Sequence, residues 1–301
     1  AVVLTTAFSG SPTNPVVIAG STNLAEGGSL LRGILTPLSL GFDFRSSASN
    51  VVLRDVALSN VVRGVALAGS AGVTLDGVEV RGASSRAFDL LDFARSNELV
   101  RCVAHGGNVG LYLTQVTNLA VRHCVFWENA GSGVYVGNSV GALLENNVLA
   151  STATNAVLVS IPGTAGLAMD YNGLHVGPLA RVGEHRGSGA KADNLAAWQR
   201  LSGLDFHGIP GDPRLADPAN YDYHLKTEET LGRRLPNGQR TTDAVSSPLL
   251  DAGKSIVSIH LAAGISGTYE SALQSRQRLI DEGRGGERIH VIDSRTACGG
   301  M

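Results

Sequence analysis

Cysteine is scarce in this chain. Cys102, Cys124 and Cys298 are its three cysteines, odd in number and widely spaced, with no C-x-x-C pair among them. That usage excludes a disulfide scaffold and a zinc knuckle. No apolar run approaches the ~20 residues of a membrane-spanning helix, and the first residues lack the basic start of a signal peptide. An excess of one charge is missing too. Lys and Arg number 24 against 26 Asp and Glu, for a net charge of −2. Without a basic block, sequence-independent nucleic-acid binding is excluded. Among the repeated segments described below, none holds a 3.6-residue period for ten residues, which excludes a helical solenoid. What is abundant is glycine, 38 residues of 301, against about 7% in average proteins. Together with 43% hydrophobic residues, this describes a chain that buries a core through many tight turns. The opening stretch AVVLTTAF is apolar from its first residue and reads as preceded by residues no longer present, so the missing signal leaves the compartment open.

One nine-residue pattern recurs. It reads NVVLRDVAL at Asn50, GVTLDGVEV at Gly72, NELVRCVAH at Asn97, NLAVRHCVF at Asn118, GALLENNVL at Gly141 and GLAMDYNGL at Gly166, at intervals of 22, 25, 21, 23 and 25 residues. Shorter apolar segments follow the first five, from Gly64, Ala87, Gly110, Gly133 and Ala156. Each segment alternates or nearly alternates, is rich in Val and Leu, and is bounded by Gly, Asn or Ser, so each predicts a short strand. Two or three short strands per rung cannot bury their inner side chains alone. Stacked rungs can, through parallel pairing with the strands above and below, and the result is a parallel β-helix. The alignment predicts an inward column of Leu53, Leu75, Val100, Val121, Leu144 and Met169. A second column holds Val56, Val78, Val103, Cys124, Asn147 and Asn172, its change from Val to Asn implying a ladder of stacked amides at a turn.

These repeats resemble the right-handed parallel β-helix proteins, the architecture of the pectate lyases and their relatives. The residues that follow extend the likeness: DYN from Asp170, a Leu-Ala-Ala-Trp helix expected over Asp193–Leu201 with Asp193 as N-cap, then DPRL from Asp212, DYHL from Asp222 and SPLLDAG from Ser247. This order is similar to the end of secreted or surface-associated bacterial β-helix repeat proteins, and the resemblance covers about residues 14 to 253. It implies an all-β, right-handed parallel β-helix, an extracellular or cell-surface location and contact with polysaccharide. Rungs are expected over residues 1–175, and a terminal section with long loops and a short helix over 176–253.

After Gly253 the pattern changes. SIVSIH predicts a strand. SGTYESALQSRQRLIDEG predicts a helix capped by Ser266 and ended by Gly283, and RIHVIDS predicts a second strand, together one βαβ unit over 254–301. SIHLAAGISGTYESA and VIDSRTACGG resemble the DegV family of bacterial fatty-acid-binding proteins over about 48 residues. That resemblance implies a lipid carboxylate held at Ser266, Gly267 and Thr268, by the free N–H groups of a helix start, and a cytoplasmic location. Ala262 and Ala263 stand where the family usually has small hydroxyl residues, and the family's preceding strands and second domain have no counterpart here. Two resemblances with different compartments suggest a composite chain joined near Gly253 and Lys254, as a fusion or as an assembly of two fragments.

For chemistry, the fifth repeat position places Arg54, Asp76, Arg101, Arg122, Glu145 and Asp170 in one outward column. Glu145 and Asp170 on adjacent rungs suit a paired-carboxylate site, or with a third acid a Ca²⁺ site. Arg101 and Arg122 suit an acidic sugar or an enolate. Such a set belongs to a polysaccharide lyase or glycoside hydrolase. The competing reading is a solvated polar face with cross-rung ion pairs, and it is favoured because an outward column of a solenoid must be polar. His105 and His123 lack a carboxylate at fixed spacing, and His207 and His224 read as packing or turn residues. Ser132 has no nucleophile-elbow context, and no cofactor motif is present. The expectation is therefore a β-helix without a demonstrable catalytic constellation.

Overall fold

A computed structural model describes residues 2–4, 9–20, 30–32, 38–44, 48–163, 166–228, 232–235, 239–250, 256–260, 268–281 and 289–293. The chain divides into two compact units, Ala1–Leu250 and Asp251–Met301. The first is a right-handed parallel β-solenoid. One rung shows the plan: Val51–Arg54 lies in a seven-stranded sheet, Ala57–Ser59 in an eight-stranded sheet and Val61–Ala68 in a nine-stranded sheet, before Thr74–Asp76 returns to the first. Within each face the strands pair in parallel with their equivalents one rung on.

Parallel stacking places like residues above like, and the core is built from these inward columns. In the seven-stranded sheet Leu53, Leu75, Leu99, Val121, Leu144 and Met169 are in register, all buried. Phe88, Leu111, Val134 and Val159 do the same in the nine-stranded sheet. Each fully buried Leu or Phe contributes about 1.5–3 kcal/mol, and no single rung closes such a core by itself.

The third rung corrects the register expected from sequence. Leu99, not Val100, completes the first column, and Cys102, not Val103, stands in the second, where its N–H meets the Cys124 sulfur at 3.4 Å. The cause lies at the turn. The chain enters each of these strands through a left-handed residue: Asn50, Gly72, Ser96, Asn118, Gly141 and Gly166. Asn and Gly adopt that conformation readily. On the third rung Ser96 takes it, and Asn97 turns inward, where its side chain accepts a hydrogen bond from the Val73 N–H at 2.9 Å.

The amide ladder expected from the second column is present. Asn147 Oδ1 accepts the Cys124 N–H and Asn172 Oδ1 the Asn147 N–H, each at 2.9 Å, while the two Nδ2 groups donate to the carbonyls of Val121 and Leu144. Buried backbone groups at these turns are thereby satisfied from within the core.

The helix Leu195–Ser202 packs against the last strands of the nine-stranded sheet, with Leu195 and Trp198 buried. Its N-cap is Asn194 rather than Asp193, with Oδ1 accepting the Ala197 N–H at 2.9 Å, and Gly203 ends it in the left-handed conformation. The Trp198 indole lies so close over Gly183 that a Cβ there would overlap it. Beyond the helix the chain folds back over the outside of the eight-stranded sheet. Leu215, Tyr223, Leu225 and Leu249 pack there on Val103, Val125, Trp127 and Val148, a second small core outside the solenoid.

The second unit is a βαβ unit. Ile256–His260 and Ile289–Asp293 pair in parallel around the helix Thr268–Asp281. Arg276 Nε donates to the Ile289 carbonyl at 2.8 Å.

Candidate functional site

The outward column of the seven-stranded sheet runs Arg54, Asp76, Val100, Arg122, Glu145, Asp170. Arg101 is therefore not in it. It occupies the next turn in a left-handed conformation and binds Asp76 at 2.7 Å, with its own side chain 64% exposed. Arg122 bridges Glu98 at 3.2 Å and Glu145 at 3.5 Å. Glu145 and Asp170 are register partners on adjacent rungs, but their carboxylates are engaged differently. Asp170 accepts from the backbone N–H of His207 at 2.8 Å and pairs with its ring Nδ1 at 2.7 Å, and Tyr171 stacks on that ring. Partial burial pushes the Asp170 carboxyl up, but the hydrogen bonds from His207 and Tyr171 and the His207 charge outweigh it and hold the group below the ordinary carboxylate range. Asp76, Arg122 and Glu145 in this column are thus held in partly exposed ion pairs, each worth about 0–1 kcal/mol. Among the described residues no group of three or more His, Cys, Asp and Glu side chains converges as a metal site would.

The interior behind this column ends on Asp205, in the place where the ladder would carry another asparagine. Its Oδ1 accepts from the backbone N–H of Asn172 at 3.1 Å and from Nδ2 at 3.2 Å, and the residue is fully buried. Burial pushes its carboxyl up to about 7, the Asn172 hydrogen bonds pull the other way, and the charge of Asp170 adds to the rise.

A third cluster lies under the returning segment. Arg81 and Glu79 form a bidentate pair, the Arg81 guanidinium stacks 3.8 Å from the Tyr221 ring, and the Tyr223 hydroxyl meets His105 Nδ1. Burial lowers the His105 pKa, against the opposing charges of Glu79 and Glu128. His224 bonds Asp222 at 2.6 Å, two residues away on the same strand, Asp222–Leu225, rather than at a turn.

The outer face of the nine-stranded sheet is different in kind. Its outward column reads Ala66, Asp89, Tyr112, Tyr135, Ser160, Glu184. Asp89 is fully buried beneath two arginines, Arg86 at 2.9 Å and Arg63 at 3.2 Å. Arg86 also lies 3.5 Å from the centroid of Tyr112, and Tyr112 stacks on Tyr135 at 4.7 Å with 6° between the rings. Arg186 closes the other end, 3.8 Å over Tyr135, and donates to Ser160 Oγ at 2.7 Å; Ser160 in turn donates to Glu184 Oε1 at 2.6 Å. Four planar groups, Arg86, Tyr112, Tyr135 and Arg186, thus form one stack along the solenoid axis. Their faces are taken by each other, so a ligand meets them through hydroxyls, guanidinium edges and ring edges. The register of parallel strands holds the array rigid, because equivalent residues are one strand spacing apart, about 4.8 Å.

Sequence reasoning did not find this array. Its signal was present: Tyr occupies the third position of both GLYLT from Gly110 and GVYVG from Gly133, 23 residues apart. Of the lipid-site residues, Ser266 and Gly267 lie outside the described residues, as do Lys254 and Cys298; Thr268 opens the second unit's helix.

These features define a solenoid with a rigid polar-aromatic face. Comparison with known families agrees on the class: residues 39–175 match the family described as right handed beta helix region. Residues 217–301 match part of a second, described as uncharacterised protein, DegV family, and the first part of that match, 217–250, lies in the first compact unit. No curated protein and no solved structure matches the chain significantly.

Proposed function

We propose that this chain is an exported β-helix repeat protein that holds an extended polysaccharide along the outer face of its nine-stranded sheet, by contact rather than cleavage. The observation that carries the reading is the axial stack Arg86, Tyr112, Tyr135, Arg186. It offers hydrogen-bond donors at rung spacing on a surface fixed by strand register, the kind of pre-organised array that loses little entropy on meeting a regular polymer. Contact rather than cleavage is supported by the arginines of the seven-stranded face, since Arg101 and Arg122 are committed to Asp76, Glu98 and Glu145. Affinity electrophoresis through gels holding polygalacturonate or a neutral β-glucan tests the reading. Retardation by at least one polymer, lost in the Tyr112→Ala/Tyr135→Ala double variant, is the expected result. Free migration through every gel contradicts it, and release of unsaturated products from polygalacturonate with Ca²⁺ would replace it with a lyase.

The match of residues 217–301 favours a second reading, a fatty-acid carrier acting through Ser266, Gly267 and Thr268. Mass spectrometry of an organic extract of the purified chain tests it: a copurified fatty acid supports this reading, and a lipid-free extract removes it.

A further inference from the structure

Where the strand Arg86–Leu91 leaves the nine-stranded sheet, the chain turns through Asp92 and Phe93. Both are left-handed, with φ of 54° and 64°, and the Ala94 N–H closes the turn on the Leu91 carbonyl at 3.2 Å. This is the pattern of a type I′ turn, whose second central position ordinarily belongs to glycine. A phenylalanine there is strained, since a bulky side chain rarely adopts positive φ. Gly69 on the rung before and Gln115 on the rung after are left-handed too, but both fall in register with Asp92, so Phe93 is one residue more than either rung carries at this turn. The frame around Phe93 is nevertheless fixed: the Arg95 N–H donates to the Ser70 carbonyl at 2.9 Å and the Gly72 N–H to the Arg95 carbonyl at 3.2 Å. The residue gains little burial from this arrangement, being 67% exposed. Folding thus accepts strain at Phe93 and leaves the aromatic ring in water.

Placement supplies the reason. Phe93 lies on the same run of chain as Arg86 and Asp89, four residues beyond Asp89, which is the register partner of Tyr112. Four residues of chain keep its Cα within about 13 Å of that of Asp89. The tyrosine faces are occupied by their neighbours, whereas Phe93 is 67% exposed and stacks on no other ring or guanidinium among the described residues. Apolar C–H surfaces of a sugar ring need such a face, while sugar hydroxyls need the donors of the stack.

Resting on the polysaccharide reading above, we infer that Phe93 is the aromatic anchor of that site, a ring displayed at the rim of the nine-stranded face for a sugar to stack on. Its test separates anchoring from folding. Phe93→Gly removes the ring and suits the left-handed turn, so its melting temperature is expected to equal or exceed that of the wild type. Its affinity for the polymer retained in affinity electrophoresis is expected to fall about tenfold, and Phe93→Trp to restore it. A Phe93→Gly variant that melts below wild type would make the ring a packing residue and overturn the inference. So would binding within about twofold of wild type by Phe93→Gly while Tyr112→Ala/Tyr135→Ala binds nothing, a result that leaves the polysaccharide reading standing. Absence of binding by the wild-type chain to any polymer overturns that reading and, with it, the anchor.

Discussion

Asp205 occupies the end of an interior ladder whose other members, Asn147 and Asn172, are neutral amides. A carboxylate there accepts the Asn172 hydrogen bonds, but burial opposes its charge and raises its titration to about 7. The unfolded group titrates near 3.9. Between these values the unfolded chain loses a proton that the folded chain keeps, so the contribution of Asp205 to stability is greatest below about pH 4 and falls as pH rises to about 7. The full loss amounts to about 4 kcal/mol. Asp205→Asn retains an acceptor for Asn172 and removes the charge. Urea denaturation between pH 4.5 and 8 is expected to show the variant more stable at the upper end, with the slope between pH 5 and 7 reduced; parallel profiles would show that Asp205 titrates alike in both states. The ladder itself was legible in the sequence, since Asn147 and Asn172 fall at one repeat position. Its terminus was not. Asp205 reaches that position from the loop after the helix, outside the repeat, and only the fold brings it beneath Asn172.

At the scale of the element, strands were legible because alternation and a turn residue agree on every rung but one. On the third rung Asn97 carries the amide that suggests a turn, while Ser96 takes the left-handed conformation. The register slips by one residue, and Arg101 leaves the outward column for the turn. The helix Leu195–Ser202 was legible from its Leu-Ala-Ala-Trp pattern and from Gly203, although Asp193 and Asn194 compete for its cap and geometry selects Asn194. The helix is tied to the strand Arg181–His185 by the approach of Trp198 to Gly183. Gly183→Val, which suits a strand by propensity, is expected to destabilise the protein by about 1–3 kcal/mol through overpacking. Near-UV circular dichroism is expected to lose part of the tryptophan signal. Unchanged stability and spectrum would mean that the helix does not depend on this contact.

For the whole molecule, the division into a solenoid and a βαβ unit follows from two periods in one sequence, about two dozen residues in the first part and a strand–helix–strand pattern after Gly253. The solenoid's site was harder to read than its core. Inward positions declare themselves by being apolar on every rung, whereas an outward column changes identity from rung to rung, as Asp89, Tyr112, Tyr135, Ser160 and Glu184 do. Only stacking turns two tyrosines 23 residues apart into one array flanked by Arg86 and Arg186. Hydrogen–deuterium exchange of the full chain, with and without the polymer that retards it in gels, tests this account most directly. The account predicts added protection in residues 86–93, 109–115, 132–138 and 157–162, the strands and turns of the nine-stranded face. Protection confined to the seven-stranded face, or to residues 256–293, would contradict it.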